Sequence, residues 1–274
     1  MSLNPRQQRL LDEVARDGAI SVEILANRLE VTPQTVRRDV RTLVSAGLLS
    51  RFHGGVAVPD STTRNLGYAQ RQALNADGKR RIAIEVARRI PDGSSLILNL
   101  GTTVEEASRA LVHHDRLRVV TNNPNVAAIL VHAPNAEVML AGGLVRAHDH
   151  GIVGEATVDF VRQFKVDFAL IGISGIESDG TLRDFDFREV KVAQQIIGAA
   201  REVWLLADHS KFERRAMVEV GHLSQVDVLV TDVPLREPFT SLLRETSVRC
   251  LVAGQVDTAA DPISERTGAV DGRA

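Results

Sequence analysis

The chain has 274 residues, an apolar content of 44% and a formal net charge of −2, values that indicate a soluble protein with one large domain or a small domain joined to a larger one. No apolar run approaches the roughly 18–20 residues that a membrane span needs, and the first residues lack the basic-then-apolar order of a signal peptide. A single cysteine, Cys250, excludes an internal disulfide, and we therefore expect a cytoplasmic protein with no membrane partner.

The first 58 residues are predicted to form a small domain that begins with helices. Apolar residues recur at helical spacing over residues 4–16, and Ser21 is placed to cap a second helix through "VEILANRLE". Thr32 is a favourable N-cap for a third helix, Pro33 suits its first position, and Gly47 ends it. This order of elements is typical of a helix-turn-helix.

The third helix has an apolar stripe and a basic outer face. The stripe follows the i, i+4, i+7, i+8 spacing of a buried helix face and consists of Val36, Val40, Leu43 and Val44. Away from it lie Gln34, Arg37, Arg38 and Arg41. Guanidinium groups bind DNA phosphates or guanine, and a glutamine amide pairs with adenine in the major groove. Taken alone, this face is equally typical of a solvated surface helix.

The stretch "LLSRFHGGVAVP" alternates apolar and polar residues around two glycines, which predicts a β-hairpin directly after the third helix. A hairpin in this place is the wing of a winged helix, in which Arg51 and His53 would touch the phosphate backbone. His53 alternatively packs against the helices. We therefore predict that the domain binds double-stranded operator DNA. The predicted contacts are Thr32, Gln34, Thr35, Arg37, Arg38, Arg41, Arg51, His53, Gly54 and Gly55.

The rest of the chain divides into a linker, a larger domain and a tail. Residues 59–78 are polar and rich in turn formers, which predicts a linker, and residues 255–274 lack apolar periodicity, which predicts a disordered tail. Over residues 79–254, short apolar strands alternate with helical segments, the pattern of a largely parallel sheet covered by helices on both faces. The predicted fold class is α/β, with an N-terminal winged helix-turn-helix and a C-terminal Rossmann-like domain.

Polar residues follow most of these strands, at the sheet edge where α/β proteins bind ligands. After the first strand, "GTT" brings backbone N–H groups, two hydroxyls and a helix N-terminus together, which suits a phosphate. At the other strand ends, Asn and Thr suit hydroxyl groups, glycines allow close approach, and a lysine supplies a cation. These residues are Gly101, Thr102, Thr103, Thr121, Asn122, Asn123, Gly142, Gly143, Gly172, Gly175 and Lys211. A small phosphorylated sugar or polyol would use all of them, although each group alone is also typical of a helix cap, a turn or a strand end.

Other site chemistries are not favoured by the motifs. No Walker A or GxGxxG pattern is present, which disfavours nucleotides and dinucleotides. The stretch "HDHG" at residues 148–151 lacks further spaced ligands for a metal, and the contiguous Asp208, His209 and Ser210 cannot form a catalytic triad. We therefore predict no metal site, no cofactor and no catalytic residues.

Both parts of the chain resemble one known family. The stretch "ILANRLEVTPQTVRRDVRTLVSAGLLSRFHGG" is similar to the DNA-binding signature of DeoR-type bacterial transcriptional regulators, and this resemblance covers nearly all of residues 4–58. The stretches "GIVGEATVDFVRQFKVDFALIGISGIESDGTLRDFDFREV" and "DHSKFERRAMVEVG" resemble the sensor domain of the same family, over about residues 75–253. The resemblance implies a sensor fold related to ribose-5-phosphate isomerase and acetyl-CoA-transferase-like proteins.

The resemblance also implies which residues surround the ligand. Phosphate would be held by Gly101, Thr102 and Thr103. Around the rest of the ligand would lie Asn122, Gly143, Gly175, Asp179, Glu189 and Lys211. Asn99 stands where many relatives carry an aspartate, two residues before the first glycine of "GTT", and we include it in the ligand site. The loss of that carboxylate would alter contacts with a polyol or weaken residual isomerase-like chemistry.

Together these features predict a repressor that a phosphorylated sugar or polyol releases from its operator, with glycerol-3-phosphate the first effector that the resemblance suggests. We expect a homo-oligomer, either a dimer or a tetramer, because one head reads too few base pairs for useful specificity. The alternative is a sugar-phosphate isomerase-like enzyme with a DNA-binding head, in which Asp179 or Glu189 would act as the base. Nothing in the sequence places either carboxylate beside a substrate.

Overall fold

The head of the chain consists of helices packed on a small antiparallel sheet. The computed structural model describes residues 3–17, 19–46, 48–52, 54–57, 62 and 65–255. The elements of the head are α1 (Pro5–Asp17), β1 (Ala19–Ser21), α2 (Val22–Arg28), α3 (Pro33–Ser45), β2 (Ser50–Phe52) and β3 (Gly55–Ala57). The strand order is β1-β3-β2, and the predicted hairpin is the antiparallel pair β2–β3. Strand β1 was not predicted, because three residues between two helices are too few to show alternation.

The predicted starts of α2 and α3 are confirmed by hydrogen bonds at their caps. Ser21 Oγ accepts the Ile24 N–H at 3.2 Å, and Thr32 Oγ1 accepts the Thr35 N–H at 3.3 Å. Caps of this kind contribute about 1 kcal/mol each. Behind them, the apolar faces of the helices meet β3 in one core, which includes Leu10, Val14, Leu25, Val36, Val40, Leu43 and Val56.

The segment predicted as a linker contains helical structure. Helix α4 (Tyr68–Ala73) lies within residues 59–78, and α5 (Ala76–Ala87) begins before residue 79, where the larger domain was expected to start. A polar composition is shared by linkers and surface helices, and here tertiary contacts such as the hydrogen bond from Tyr68 Oη to Glu105 Oε2 (2.7 Å) hold the segment on the larger domain. Outside the described residues lie Gly47, His53, residues 58–61, 63 and 64, and residues 256–274 of the predicted tail.

The larger domain is built on a central parallel sheet. Its remaining elements are β4 (Ser95–Leu98), α6 (Thr102–Leu111), β5 (Arg118–Thr121), α7 (Pro124–Leu130), β6 (Glu137–Leu140), β7 (Leu144–Val145), β8 (Ile152–Val153), α8 (Glu155–Arg162), β9 (Val166–Ile171), β10 (Gly175–Ile176), β11 (Thr181–Asp184), α9 (Phe187–Gly198), β12 (Ala200–Leu206), β13 (Val218–His222), β14 (Val228–Thr231), α10 (Phe239–Thr246) and β15 (Arg249–Val252). Seven strands form the central sheet, in the order β15-β14-β12-β9-β4-β5-β6. Every pairing in it is parallel, which confirms the predicted α/β class.

Two small antiparallel additions were not predicted. Strand β7 pairs with β8, and β10, β11 and β13 form a three-stranded sheet. Strands β7, β8 and β10 have two residues each, too few for alternation to be recognised in a sequence. Because β10 and β11 follow β9 directly, they bring residues 174–184 to the carboxyl end of the central sheet.

The central sheet separates two apolar cores. Along β4, Leu96 and Leu98 face one core and Ile97 faces the other, as the alternation of side chains in a strand requires. The first core lies under α5, α6 and α7, and the second lies under α8, α9 and α10. Burying one such side chain contributes about 1.5–3 kcal/mol, so helices on both faces are needed to cover the strands. Within the described residues, no helix combines the length and the apolarity of a membrane span.

The turn after β6 depends on Gly143 and not on Gly142. Gly143 has a φ of +151°, and a Cβ atom there would lie 2.3 Å from Thr157 Oγ1 and 2.9 Å from the Val153 carbonyl oxygen. The same hydroxyl fastens the turn, because Thr157 Oγ1 donates to the Gly142 carbonyl at 2.9 Å. Among the described residues, no atom lies within 4 Å of a Cβ atom built on Gly142. Of the two glycines, Gly143 is the one that the fold requires.

Replacing Gly143 by alanine is expected to lower the free energy of unfolding by about 1–3 kcal/mol, because a side chain at this φ is strained and collides with Thr157. Gly142→Ala is the matched control and should change stability by less than about 0.5 kcal/mol. Urea titration of both variants, followed by circular dichroism, measures the difference. Equal stability of the two variants would contradict this account of the turn.

Candidate functional site

The outer face of α3 is a groove lined by basic, amide and hydroxyl side chains. Its lining residues are Arg6, Thr32, Gln34, Thr35, Arg37, Arg38 and Arg41. The three arginines of α3 are exposed, whereas the apolar stripe of the same helix is packed in the head. The structure thus brings the predicted polar residues of α3 together on one accessible face.

Arg6 joins this face from α1 because it holds the buried carboxylate of Asp39. Arg6 Nε lies 2.5 Å from Asp39 Oδ2, and Arg6 Nη2 lies 3.2 Å from Asp39 Oδ1. The Asp39 side chain is 4% exposed, and that of Arg6 is 38% exposed. The pair fixes α3 against α1 while part of the guanidinium stays on the groove. Arg6 was not predicted from the sequence, since its partner lies 33 residues away and no local pattern links the two.

The hairpin contributes Arg51 to the exposed surface, and its two glycines differ in role. Arg51 is exposed on β2, and Gly54 has a φ of +84° in the turn. Gly55 is buried, and a Cβ atom there would lie 2.3 Å from the Phe52 ring and 2.6 Å from the Ile20 carbonyl oxygen. Gly55 was predicted as a DNA contact, but its place in the structure is a packing position that lets the hairpin close on β1.

A narrow cavity lies at the carboxyl ends of β4, β9 and β12. It is lined by Arg71, Leu100, Gly101, Thr102, Thr103, Gly172, Ile173, Ser174, Asp184, Glu189 and Lys211. Gly101 has a φ of +138° and precedes the ten-residue helix α6, so the positive end of a helix dipole borders the cavity. The structure therefore brings together the predicted "GTT" motif, Gly172, Glu189 and Lys211.

The charged form of the Lys211 side chain is disfavoured by its surroundings. Burial lowers the pKa of Lys211 to about 8, Asp208 opposes this shift, and the nearby cations Arg214, Lys79 and Arg71 add to it. An anion in the cavity would stabilise the charged form of the lysine. The cavity thus holds the cations Lys211 and Arg71 beside the carboxyl groups of Asp184 and Glu189.

Asp184, which is buried, and Glu189, which is largely buried, place two carboxyl groups in the same cavity. Burial raises the pKa of both groups, and the proximity of Asp184 raises that of Glu189 further. Glu189 lies 2.7 Å from Arg146 Nη2, but that guanidinium is shared with Asp149 and Asp186. Arg71 and Arg188 also contact Asp149 and Asp186, respectively, so burial and the repulsion between Asp184 and Glu189, not a lack of arginines, raise the pKa of Glu189. The Asp184–Glu189 pair retains a proton at neutral pH and can both donate hydrogen bonds to hydroxyl groups and accept them.

The segment Thr121-Asn122-Asn123 is bonded within the protein and does not line the cavity. Thr121 Oγ1 donates to a β4 carbonyl at 2.6 Å, and Asn122 Nδ2 donates to a β8 carbonyl at 3.0 Å. Asn123 Oδ1 accepts the Asn125 N–H at 3.0 Å at the start of α7. All three predicted residues are at most 1% exposed. These hydrogen bonds hold the strand ends and α7 in place, and a role of the three residues as ligand contacts stays a prediction.

Five other predicted residues also lie outside the cavity lining. Gly142 and Gly143 form the β6–β7 turn described above, and Asn99 is 2% exposed, with no hydrogen-bond partner for its Oδ1 among the described residues. At Gly175, a Cβ atom would lie 2.1 Å from the backbone carbonyl oxygen of Arg214. Asp179 is exposed in the β10–β11 turn. Its Oδ1 accepts the Thr181 N–H at 2.9 Å, and this hydrogen bond lowers the pKa of the Asp179 carboxyl. The turn carries Asp179 away from the cavity.

Three polar residues of the cavity were not predicted from the sequence. Ser174 and Asp184 flank the unpredicted β10–β11 hairpin, and Ser174 Oγ donates to Asp184 Oδ1 at 3.0 Å. Asp184 lies in the charged run "RDFDFRE" between a strand and a helix, a signal that was available. Arg71 belongs to α4, inside the predicted linker, where a polar sequence gives no sign of a tertiary role.

Family models match both parts of the chain. The model of the DeoR-like helix-turn-helix domain matches residues 6–62, and that of the DeoR C terminal sensor domain matches residues 74–233. The glycerol-3-phosphate regulon repressor of Escherichia coli (strain K12) is 45% identical over 234 residues, 85% of this chain and 92% of that protein. The repressor of the same name from Haemophilus influenzae is 43% identical over 92% of this chain and 98% of that protein. The transcriptional repressor CsqR of Escherichia coli is 41% identical over 91% and 95%, respectively.

Two solved structures show distant similarity to the chain. Ribose-5-phosphate isomerase A from Methanocaldococcus jannaschii matches with a TM-score of 0.38 and 17% identity, over 50% of this chain and 55% of that chain. Translation initiation factor eIF-2B from Pyrococcus horikoshii OT3 matches with a TM-score of 0.44 and 14% identity, over 81% of this chain and 78% of that chain. The strand order of the central sheet, and not these matches, defines the fold of the larger domain.

A helix-turn-helix head joined to an α/β sensor domain is the organisation of a DNA-binding transcriptional regulator that carries its own sensor. The chain belongs to the DeoR family of transcriptional repressors. The family and the repressor function predicted from the sequence are therefore confirmed.

Proposed function

We propose that this repressor binds double-stranded operator DNA through the outer face of α3, and that glycerol-3-phosphate or a closely related phosphorylated polyol or sugar releases it. The observation that carries the proposal is one cavity that combines the "GTT" helix N-terminus, Lys211 and a proton-sharing carboxyl pair. A protein that binds operator DNA works in the cytoplasm, and we propose this location for the chain.

The DNA-binding part of the proposal is supported by the charge of the α3 face. The groove is lined by four arginines and, among the described residues, by no acidic one. Arg37 lies 3.4 Å from Glu23, but both side chains are more than half exposed. Such a pair contributes less than about 1 kcal/mol, so Arg37 can exchange Glu23 for a DNA phosphate. Gln34, in the first turn of α3, would read base edges, and Arg51 would contact the backbone from the hairpin.

Arg37→Ala and Arg38→Ala are each expected to weaken operator binding about 5- to 150-fold, because a lost guanidinium contact costs about 1–3 kcal/mol. Fluorescence anisotropy of labelled operator at several salt concentrations measures the affinity, and loss of a phosphate contact would also reduce the salt slope by about 1. Arg80→Ala, an exposed arginine on α5 that pairs with Asp77 at 2.8 Å, is the matched control. If both α3 variants bind operator as Arg80→Ala does, this face does not contact DNA.

The effector part of the proposal is supported by complementary groups in one cavity. The "GTT" backbone N–H groups, its hydroxyls and Lys211 are donors suited to a phosphate. The Asp184–Glu189 pair offers both a donor and an acceptor to hydroxyl groups. Relatives that are 43–45% identical are named glycerol-3-phosphate regulon repressors, and this makes glycerol-3-phosphate the effector that we propose.

Effector affinity is expected to fall about tenfold between pH 7 and pH 9, because the free protein loses the Lys211 proton through its lowered pKa of about 8. The direction follows from the lysine, whose charged form binds the anion and is present below that pH. Lys211→Arg keeps a positive charge across this range and should give a flatter profile, in which the remaining fall comes from Glu189, whose pKa is raised to about 8 by burial. Isothermal titration with glycerol-3-phosphate at pH 7, 8 and 9 compares the two proteins. A wild-type profile as flat as that of Lys211→Arg would count against Lys211 as the phosphate-binding cation.

We propose that the cavity binds its effector without turning it over. The proposal is supported by the relatives that are 41–45% identical, all of which are named repressors. Asp179, one of the two candidate bases, is exposed outside the cavity. Turnover of ribose-5-phosphate or glucosamine-6-phosphate by the purified protein would favour the isomerase alternative.

We also propose that copies of the chain associate through one edge of the central sheet. Strand β6 forms that edge. Three apolar side chains of β6 and β7 are exposed, namely Leu140 (44%), Leu144 (55%) and Val145 (56%). Proteins normally cover an apolar sheet edge, and recognition of paired half-sites requires a second copy of the head. A homo-oligomer satisfies both requirements.

Leu144→Asp and Val145→Asp are expected to shift the protein from oligomer to monomer at micromolar concentration, because a charge at the edge cannot be buried in a symmetric interface. Ile84→Asp, at a site on α5 that is 50% exposed, is the control and should sediment as wild type. Sedimentation velocity decides the matter. Oligomers of unchanged size in both edge variants would place the interface elsewhere.

A further inference from the structure

Helix α4 and Asn75, the second residue after it, are hydrogen-bonded to the rim of the cavity. Thr102 Oγ1 donates to the Arg71 carbonyl at 3.3 Å, and Asn75 Nδ2 donates to Asp208 Oδ1 at 2.8 Å. Thr102 belongs to the "GTT" motif, and Asp208 is the carboxylate that stabilises the Lys211 ammonium. Both groups assigned to phosphate binding are thus linked to the segment that leads to the head.

The side chain of Arg71 enters the same cavity. It is 14% exposed, and its Nη2 lies 3.3 Å from Asp149 Oδ2. Its Nε is buried and has no hydrogen-bond partner among the residues that the structure describes. Buried donors of native proteins are normally paired, and a guanidinium binds phosphate through parallel N–H groups. An anionic oxygen in the cavity would supply the partner that Nε lacks.

The other face of α4 is turned toward the head. A cleft between the two is lined by Ala19, Ile20, Ser21, Ile24 and Phe52 of the head and by Leu66, Ala69, Ala73 and Leu74 of the α4 segment. Ala69 and Ala73 are four residues apart and share one helix face, whereas Tyr68 and Arg71 contact the larger domain. One short helix therefore borders the cavity on one side and the DNA-binding head on the other.

We propose that Arg71 is a ligand of the effector phosphate, and that α4 transmits the occupancy of the cavity to the head. The inference rests on the proposed function and adds to it a binding residue from the linker and a route of regulation. A phosphate would draw the Arg71 guanidinium inward and compete for the Thr102 hydroxyl that now donates to the α4 backbone. Helix α4 would therefore have one position with effector bound and another without it. The head would fit operator DNA only when α4 is in the effector-free position.

The first test replaces the charged group while keeping a similar shape. Arg71→Gln is expected to weaken glycerol-3-phosphate binding at least about tenfold by isothermal titration, as expected when one charge-assisted contact to phosphate is lost. The ratio of operator affinities without and with glycerol-3-phosphate should fall in proportion at a fixed effector concentration. Arg71→Lys, which keeps the charge, should recover part of the affinity. Wild-type effector affinity in Arg71→Gln overturns the assignment.

The second test separates transmission from binding. Ala69→Asp places a charge on the face of α4 that borders the head and leaves the cavity lining intact. It should bind glycerol-3-phosphate within about threefold of wild type and yet show a ratio of operator affinities close to 1, since coupling requires that the head favour one state of α4. Normal release of operator by Ala69→Asp overturns the proposed route.

Controls distinguish this inference from the proposed function itself. Arg80→Gln, an exposed arginine on α5, should match wild type in both measurements. If wild-type protein neither binds glycerol-3-phosphate nor is released by any three- to six-carbon sugar or polyol phosphate, the proposed function fails. If glycerol-3-phosphate releases the wild-type protein from operator, and Arg71→Gln and Ala69→Asp are released to the same extent as wild type, only the inference about α4 fails. Circular dichroism and thermal unfolding of each variant verify that the fold is retained.

Discussion

The strands of the central sheet all run in one direction, and the sensor depends on this constraint. In a parallel sheet every strand ends at the same edge, and each strand returns through a helix on one face or the other. Strands β4, β9 and β12 are neighbours in the sheet, so residues 101–103, 172–174 and 208–211 meet although more than 100 residues of chain separate the first from the last. The two apolar cores hold the strands in register, and the loops beyond them are free to carry polar chemistry.

A second constraint is the Arg6–Asp39 ion pair, which orients α3 within the head. The chain as a whole is slightly acidic, yet the outer face of α3 is basic because its one aspartate, Asp39, points inward. Burying a carboxylate is unfavourable unless it is paired and hydrogen-bonded. The bidentate contact with Arg6 meets this requirement. The same ion pair that anchors α3 to α1 therefore leaves the arginines of α3 without an acidic neighbour on their own helix.

The elements predicted from the sequence are those whose physics is local. Helix caps at Ser21 and Thr32, the hairpin and the alternation of strands and helices each depend on residues within one or two turns of the chain, and the structure contains them. The "GTT" motif and Lys211 were predicted to lie together because strand ends in a parallel sheet share an edge, and they do line one cavity.

The features that were missed depend on contacts between distant residues. Thr121, Asn122 and Asn123 follow a strand as ligand-binding residues often do, but their side chains are occupied by backbone groups of β4, β8 and α7. Arg71 stands in a polar segment whose helix is held by hydrogen bonds to the larger domain, so composition alone indicated a linker. Asp179 and Asp184 lie five residues apart in one charged stretch, and only the β10–β11 pairing determines which of them reaches the cavity.

The two kinds of chemistry in the cavity come from separate parts of the fold. The groups proposed to bind the phosphate lie at the N-terminus of α6, after β12 and on α4, whereas Ser174, Asp184 and Glu189 lie between the end of β9 and the first turn of α9. One part of the cavity would thus hold the phosphate, and a separate part would distinguish one polyol from another. Under the proposed function, substitutions in the hairpin or in the first turn of α9 would change which polyol is preferred and leave the proposed phosphate contacts intact. Regulators that respond to different metabolites can diverge from such a scaffold in few steps, without rebuilding the sheet or the DNA-binding head.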